Sequence, residues 1–330
     1  MATKHTKSSH EEFVDQNNAL HKQQRWWNWR VLMNLLIVGF ALGLFGYDNA
    51  FASPLLFAPN LGALVVGRFW NYFGISILTN IAPIYLSELV PASVRARAVG
   101  FAIAGSGAVS VVATVVVWAS AKILDKRQYI IPLAIQAAIP VLLLVLSFFL
   151  TESPIWLLSQ GRTDAAKRSL NSLRGNNSAL VELELTTATI ALQSKNEKKT
   201  AFKWWEILKI GNLERTLSSA ALLCLSQVGG QILVGTYSTV LLVQSGVSDP
   251  FKITIIIFLM QFAGTLLGPF LLDKFGRRTV ALPGYIILFV LDLAAGSIAC
   301  VGLTNKAKQL GLASLCIIFS FVNSISFQSM

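Results

Sequence analysis

The sequence predicts an all-α protein embedded in a lipid bilayer as a bundle of about eight spanning helices. Three observations carry this. Of 330 residues, 54% are hydrophobic and 13% charged, where soluble domains carry roughly 25% charge. The mean hydropathy is +0.61, more apolar surface than a soluble core of this size can hide, because much of any folded surface still faces water. The apolar residues also fall in runs near the roughly 20 residues that cross a bilayer.

The first 30 residues are polar and read as a disordered cytosolic tail. His5, His10 and His21 lie there without metal-binding spacing. The tail ends in Arg25-Trp26-Trp27-Asn28-Trp29-Arg30, a basic-aromatic patch suited to a membrane–water interface. A net charge of +11 would suggest nucleic acid in a soluble protein. Here the charges sit between apolar runs, so no nucleic-acid partner is expected.

Spans are expected at about 31–48, 61–82, 98–119 and 129–150, forming one half bundle over 31–150. A second set at about 216–243, 251–272, 279–302 and 309–329 forms another over 216–330. No run alternates as a strand would. Helices also satisfy their own backbone groups, which lipid cannot do. Between the halves, 151–215 is a polar linker with short helices. Its Gly161–Arg174 stretch places Ala165, Ala166, Leu170 and Leu173 on one side.

Charge orients the chain. The tail, Arg95, Arg97, the linker and Lys274/Arg277/Arg278 hold roughly 20 of the 27 basic residues on one side, which the positive-inside rule makes cytosolic. Lys122, Lys126, Arg127, Lys252, Lys306 and Lys308 lie on the other side. Eight spans then put both termini in the cytosol, and Asn176-Asn177-Ser178 is a chance match to a glycosylation acceptor. Cys224, Cys300 and Cys316 lie inside apolar runs and read as small buried side chains, not as a zinc site. No nucleophile–base set, phosphate loop or metal cluster points to an enzyme. No cofactor and no metal are expected.

Four motifs stand in order along the chain. Gly46-Tyr47-Asp48 ends the first apolar run. Pro83-Ile84-Tyr85-Leu86-Ser87-Glu88-Leu89-Val90-Pro91 and Ala92-Ser93-Val94-Arg95 follow the second. Thr151-Glu152-Ser153-Pro154-Ile155-Trp156-Leu157-Leu158, with Gly161-Arg162, opens the linker. Gly268 and Asp273-Lys274-Phe275-Gly276-Arg277-Arg278 join two later runs. Together they resemble the signatures of the sugar porter family of the major facilitator superfamily. The departures are Ala96 for the usual Gly, Thr151 for Pro and Ile155 for Arg. The stretch from Gln227 to Tyr237-Ser238-Thr239 is similar to fungal hexose and α-glucoside (maltose-type) permeases.

The resemblance implies a twelve-span fold, here incomplete. After Asp48 the chain reaches what looks like the fourth span within about ten residues, so the second and third spans are expected to be missing near Leu55–Leu56. The last two spans are expected to be missing as well. The segments present then resemble spans 1, 4, 5, 6 and 7 to 10. The implied function is transport of a sugar, hexose or α-glucoside such as maltose, by proton symport with alternating access, impaired in this shortened form. A non-transporting sugar receptor and an inactive regulatory fragment associating with a full-length transporter are the rival readings. The plasma membrane is implied only by the resemblance.

Candidate site residues follow. Charges inside spans are costly and usually functional. Asp48, with Arg68 as partner, is the proton-coupling pair that the resemblance implies; a structural ion pair is the other reading. Asp292 has no motif support. Sugars need groups that both donate and accept hydrogen bonds, and Gln227, Gln231, Tyr237 and Asn323 are the substrate-binding candidates, with Ser326 and Gln328 weaker ones. Gln227 and Gln231 are four apart and share a helix face. Their alternative role is bonding between helices. The family's asparagine falls on Ile232 and its fifth-span glutamine near Ile103, which argues against a simple hexose site. Glu88, Arg95, Arg97, Glu152, Asp273, Arg277 and Arg278 are candidates for an ion-pair network that closes the cytosolic side. Plain interfacial charge serving topology is the alternative. Gly276 permits the tight turn that this element needs. The expected partners are a sugar, protons and the lipid bilayer.

Overall fold

A computed structural model describes residues 28–50, 61–123, 125, 127–175, 177–197, 210–231, 234–235, 238–244, 249–300 and 306–328. Most of the described residues are helical, with no strand among them. The first group comprises α1 (Trp29–Ala50), α2 (Leu61–Leu89), α3 (Ala92–Ala121) and α4 (Arg127–Ser147). The linker carries α5 (Pro154–Ser159), α6 (Thr163–Arg174) and α7 (Ser178–Glu197). The second group comprises α8 (Ile210–Ser226) with a π-turn at Gln227–Gln231, α9 (Ser238–Gln244), α10 (Pro250–Phe275), α11 (Arg277–Cys300) and α12 (Lys306–Asn323), which runs into a π-turn at Ser324–Gln328.

Among the described residues five helices are long and apolar enough to cross a membrane, over Val94–Ala121, Ile130–Ser147, Pro250–Leu272, Arg278–Ile298 and Ala307–Ser326. The other three expected segments are helical too. The first contains the shorter apolar stretch Trp29–Leu44, the second lies in the 29-residue α2, and the third is interrupted. The expected single span at 216–243 breaks after Ser226, with non-helical angles at Gly229 (φ −72°, ψ 28°) and Gly230 (φ 86°, ψ −3°). Apolarity alone does not report such a break, because glycine raises no polar signal while giving up helix-favouring side-chain packing. The helices also outrun the apolar segments. α2 continues through Pro83 to Leu89, and α3 begins at Ala92 with Arg95 and Arg97 in its opening turns. Hydropathy marks the thickness of lipid, not the end of the hydrogen-bond ladder.

The tightest packing is of α3 on α1. A side chain at Gly43 would meet Val109, one at Gly46 would meet the Ser106 carbonyl and Ser110 Oγ, and Gly105 lies against the backbone of Gly39. Gly39 and Gly43 form a small-xxx-small pair, the pattern that lets membrane helices approach backbone to backbone. Val38, Leu42, Leu86, Leu89, Ala102 and Leu173 form a buried cluster beside it. Leu173 belongs to α6, so the linker is anchored to the base of the first half. The predicted apolar side of that helix is confirmed, with Ala166, Leu170 and Leu173 buried.

α3 also carries the contact with the second half. Gly100 lies against Pro269, Gly107 against Phe262, and Phe101 packs edge-on to Phe270 at 6.1 Å between ring centroids. Large apolar side chains remain exposed along α2 (Val65, Phe69, Phe73, Ile81) and α11 (Ile286, Phe289, Leu293), as suits faces turned to lipid. This corrects the expectation for cysteine. Cys316 is buried, but Cys224 and Cys300 are exposed, because they sit on outward faces where lipid takes the place of protein.

Candidate functional site

Two polar clusters stand out, one at the linker side of the first half and one inside the second half. The first is built from two of the motifs. Asn34 on α1 and Thr151 bond reciprocally: Asn34 Nδ2 donates to Thr151 Oγ1 at 3.2 Å, and the Thr151 N–H donates to Asn34 Oδ1 at 3.3 Å. The Tyr85 hydroxyl donates to the Thr151 carbonyl. Ser153 Oγ donates to Glu88 Oε2 at 2.5 Å, and Ser169 Oγ donates to the Glu152 carbonyl at 2.7 Å. Tyr85 and Glu88 of one motif thus grip Thr151 and Ser153 of the next.

The network ends on a residue that sequence reasoning did not single out. Arg174, 5% exposed, donates from Nε to Glu184 at 2.9 Å and from Nη1 to the Leu89 carbonyl at 3.1 Å. It neutralises a carboxylate and caps the C-terminal end of α2 with one guanidinium, which the planar fork of arginine suits. The signal available in the sequence was its place at the end of the amphipathic linker helix, on the side of Leu170 and Leu173.

The network candidates are distributed as follows. Glu88 is half-buried and bonds to Ser153. Glu152, Arg95, Arg97 and Arg278 are exposed. Asp273 and Arg277 lie at the turn between α10 and α11, where Gly276 takes φ 82°, as a tight reversal requires. Their side chains lie outside the described residues. Ion pairs seen among the described residues join Arg174 to Glu184, Lys167 to Glu182 and Lys252 to Asp249.

The second cluster forms where the helix breaks. Gln231 ends the π-turn, and its Oε1 accepts from Asn323 Nδ2. Asn323 is 2% exposed. It is one of a run of buried polar residues with Ser320 of α12 and Ser324 and Ser326 of the π-turn beyond it, where Ser324 is pressed against Gly264 of α10 and Ser326 against Gly284 of α11. Gly230 sits beside the Asp292 carboxylate and the ring of Phe319. Beyond the break, the hydroxyl of Thr239 on α9 lies 3.0 Å from that of Thr254 on α10. The structure therefore joins Gln231 to Asn323 and brings Asp292 to the same turn. Gln227 begins the turn, but its side chain lies outside the described residues, as do the Gln328 side chain and the whole of Tyr237. Asp48 and Arg68 fall within α1 and α2, and their side chains too lie outside the described residues. Beside Asp48, the Tyr47 hydroxyl donates to the Pro132 carbonyl at 2.9 Å, fixing α1 to α4. Among the described residues no cluster of His, Cys, Asp and Glu could hold a metal ion.

A family model described as "Sugar (and other) transporter" matches residues 27–330. The major facilitator-type transporter ecdD of Aspergillus rugulosus is 29% identical over 282 residues, covering 83% of this chain and 51% of its own length. The facilitated trehalose transporter Tret1 of Drosophila pseudoobscura pseudoobscura is 28% identical over 275 residues, covering 82% and 30%. Sugar transport protein 10 of Arabidopsis thaliana is 26% identical over 268 residues, covering 80% and 50%. The chain therefore spans about half or less of the length of these curated relatives. Among solved structures, the xylose transporter XylE from E. coli, in a partially occluded inward-open conformation, superposes with a TM-score of 0.69 at 17% identity, covering 96% of this chain and 71% of that one. This likeness identifies the fold as that of a major-facilitator bundle, incomplete here.

Proposed function

This chain belongs to the sugar (and other) transporter family, and from that premise we propose that it carries a sugar across a membrane together with a proton, by alternating access. The observation that supports the reading best is the Gln231–Asn323 amide pair at a broken helix. Amides donate and accept at once, which sugar hydroxyls require. Irregular backbone at membrane depth is tolerated only where it is buried in protein or lines a cavity, and discontinuous helices form the substrate sites of many secondary transporters.

The substrate proposed is a hexose or an α-glucoside such as maltose. Relatives named for trehalose and for sugar transport, and a solved structure described as a xylose–proton symporter, support a sugar and a proton. Gln227, Gln231, Tyr237 and Asn323 would hold the sugar. Asp48 would carry the proton with Arg68 as partner, since a neighbouring cation favours the charged carboxylate and its departure favours protonation. Glu88, Arg95, Arg97, Glu152, Asp273, Arg277 and Arg278 would close the cytosolic side. Both termini would be cytosolic, in a plasma membrane, and a full-length transporter is a further partner.

The test is uptake of labelled glucose and maltose into proteoliposomes under an imposed proton gradient. Binding or uptake of at least one sugar is expected, and Asp48→Asn should abolish gradient-driven accumulation while sparing exchange. Absence of any sugar binding would end the substrate reading. Accumulation by the Asp48→Asn variant would end the coupling reading.

A further inference from the structure

We propose that the cleft between the start of α1 and the outer face of α6 binds the phosphorylated headgroup of an anionic lipid. The cleft has a volume of about 550 Å³ and is lined by Arg30, Arg168, Asn171, Ser172 and Gly175. That size lies within the roughly 300–1,000 Å³ of small-molecule sites. Its lining side chains are cationic or hydrogen-bonding, and none is acidic.

The basic residues of α6 divide by facing. Lys167 turns to Glu182 on α7 at 3.4 Å, and Arg174 to Glu184 at 2.9 Å. Arg168 turns instead into the cleft with Arg30. Among the described residues neither of these two forms an ion pair with a carboxylate. Arg168 donates from Nε to the Asp164 carbonyl at 3.4 Å, which leaves its outer guanidinium nitrogens for a ligand. Two like charges lining one cleft repel each other, and a bound anion removes that cost. Guanidinium forks match phosphate oxygens in pairs.

The neutral groups suit a headgroup better than a bare ion. Ser172 donates its hydroxyl hydrogen to the Ser169 carbonyl at 2.8 Å, so its oxygen is left to accept from a ligand hydroxyl. The carbonyls at the end of α6 would repel an anion, but two of them are already covered. Asn28 Nδ2 donates to the Leu173 carbonyl at 3.1 Å, and the Gly175 N–H to that of Asn171.

The position selects lipid as the source. Arg30 is the second residue of α1 and follows Trp29, which is 72% exposed. Tryptophan at the end of a spanning helix marks headgroup depth, and basic pockets beside membrane helices take anionic headgroups.

Native mass spectrometry of the purified chain with phosphatidylinositol 4-phosphate and with phosphatidylcholine tests the site. The phosphoinositide should bind and phosphatidylcholine should not. Arg30→Gln and Arg168→Gln should each weaken binding about fivefold, and Arg168→Lys should fall between. Lys167→Gln removes the same charge from the paired side and should change binding less than about twofold. Equal losses in all three glutamine variants would reduce the effect to diffuse attraction and overturn the proposal. Soluble inositol 1,4-bisphosphate binding as tightly as the lipid would overturn the assignment to lipid. Both arginines are exposed, so unchanged thermal midpoints in the variants separate lost binding from lost folding.

Discussion

Ser153 Oγ donates to Glu88 Oε2 at 2.5 Å and accepts the Trp156 N–H at 3.3 Å, so one hydroxyl ties the end of α2 to the first turn of α5. Ser153→Ala removes the helix cap and leaves a half-buried carboxylate short of a donor. The combined cost should be about 2–3 kcal/mol, read as a lower unfolding midpoint in detergent, with Ser153→Thr recovering most of it. A midpoint within error of the parent would show that water replaces the hydroxyl fully.

Arg174→Ala should cost more, because it takes the guanidinium from Glu184, whose side chain is 14% exposed, and uncaps the Leu89 carbonyl. Breaking a buried pair from one side costs about 3–5 kcal/mol. Hydrogen exchange should locate the damage in α6 and α7 before the spans respond. Arg174→Lys keeps the charge without the fork and should give an intermediate loss. Uniform deprotection across all helices would contradict this local role.

Gly46→Ala and Gly74→Ala form a matched pair. At Gly46 an added methyl would strike the Ser106 carbonyl and Ser110, while at Gly74 nothing lies within 4 Å. Gly46→Ala should destabilise by about 1–3 kcal/mol through forced separation of α1 and α3. Gly74→Ala should be neutral or stabilising by about 0.5–1 kcal/mol from helix propensity. Thermal midpoints by size-exclusion detection would show the ordering, and its reversal would refute the described packing.

At the helix break, Asn323→Ala should weaken sugar binding about tenfold, the loss of a hydrogen bond to a buried partner. Gly230→Ala adds a left-handed strain of about 1–2 kcal/mol and places a methyl 3.1 Å from Asp292 Oδ1 and 3.3 Å from Phe319. Its effect should appear in stability as well as in binding. Titration of labelled sugar against each variant separates them, and an Asn323→Ala variant with parental affinity would remove Asn323 from the site.

How much of this was legible in the sequence depends on the range of the force involved. Apolar runs report solvent preference residue by residue, so the positions of the helices could be read directly. The linker helix was legible because Ala166, Leu170 and Leu173 repeat at helical spacing. The close approach of Gly43 to Val109 was not, since it depends on which helix lies alongside. Arg174 was missed for the same reason: its partners are Glu184 and a carbonyl 85 residues away in sequence. Tyr85, Glu88, Thr151 and Ser153 were all found as motif residues, and Glu88 alone among them was placed in a gating charge set. The structure shows Glu88 bound by a neutral hydroxyl, a pairing that charge counting cannot anticipate. Gln231 and Asn323 were both candidates from their chemistry, and only the fold reveals that they meet.

The seam between α3 and α10 has a mechanical consequence. Three of its contacts, Gly100 on Pro269, Gly107 on Phe262 and Phe101 on Phe270, are apolar. Such surfaces attract without direction, so one half can slide or tilt on the other while exchanging one set of dispersion contacts for another of similar energy. The polar clamps at Thr151 and Arg174 lie within the first half and its linker. Compliance is thus concentrated between the halves and stiffness within one of them, which is the distribution a hinge requires.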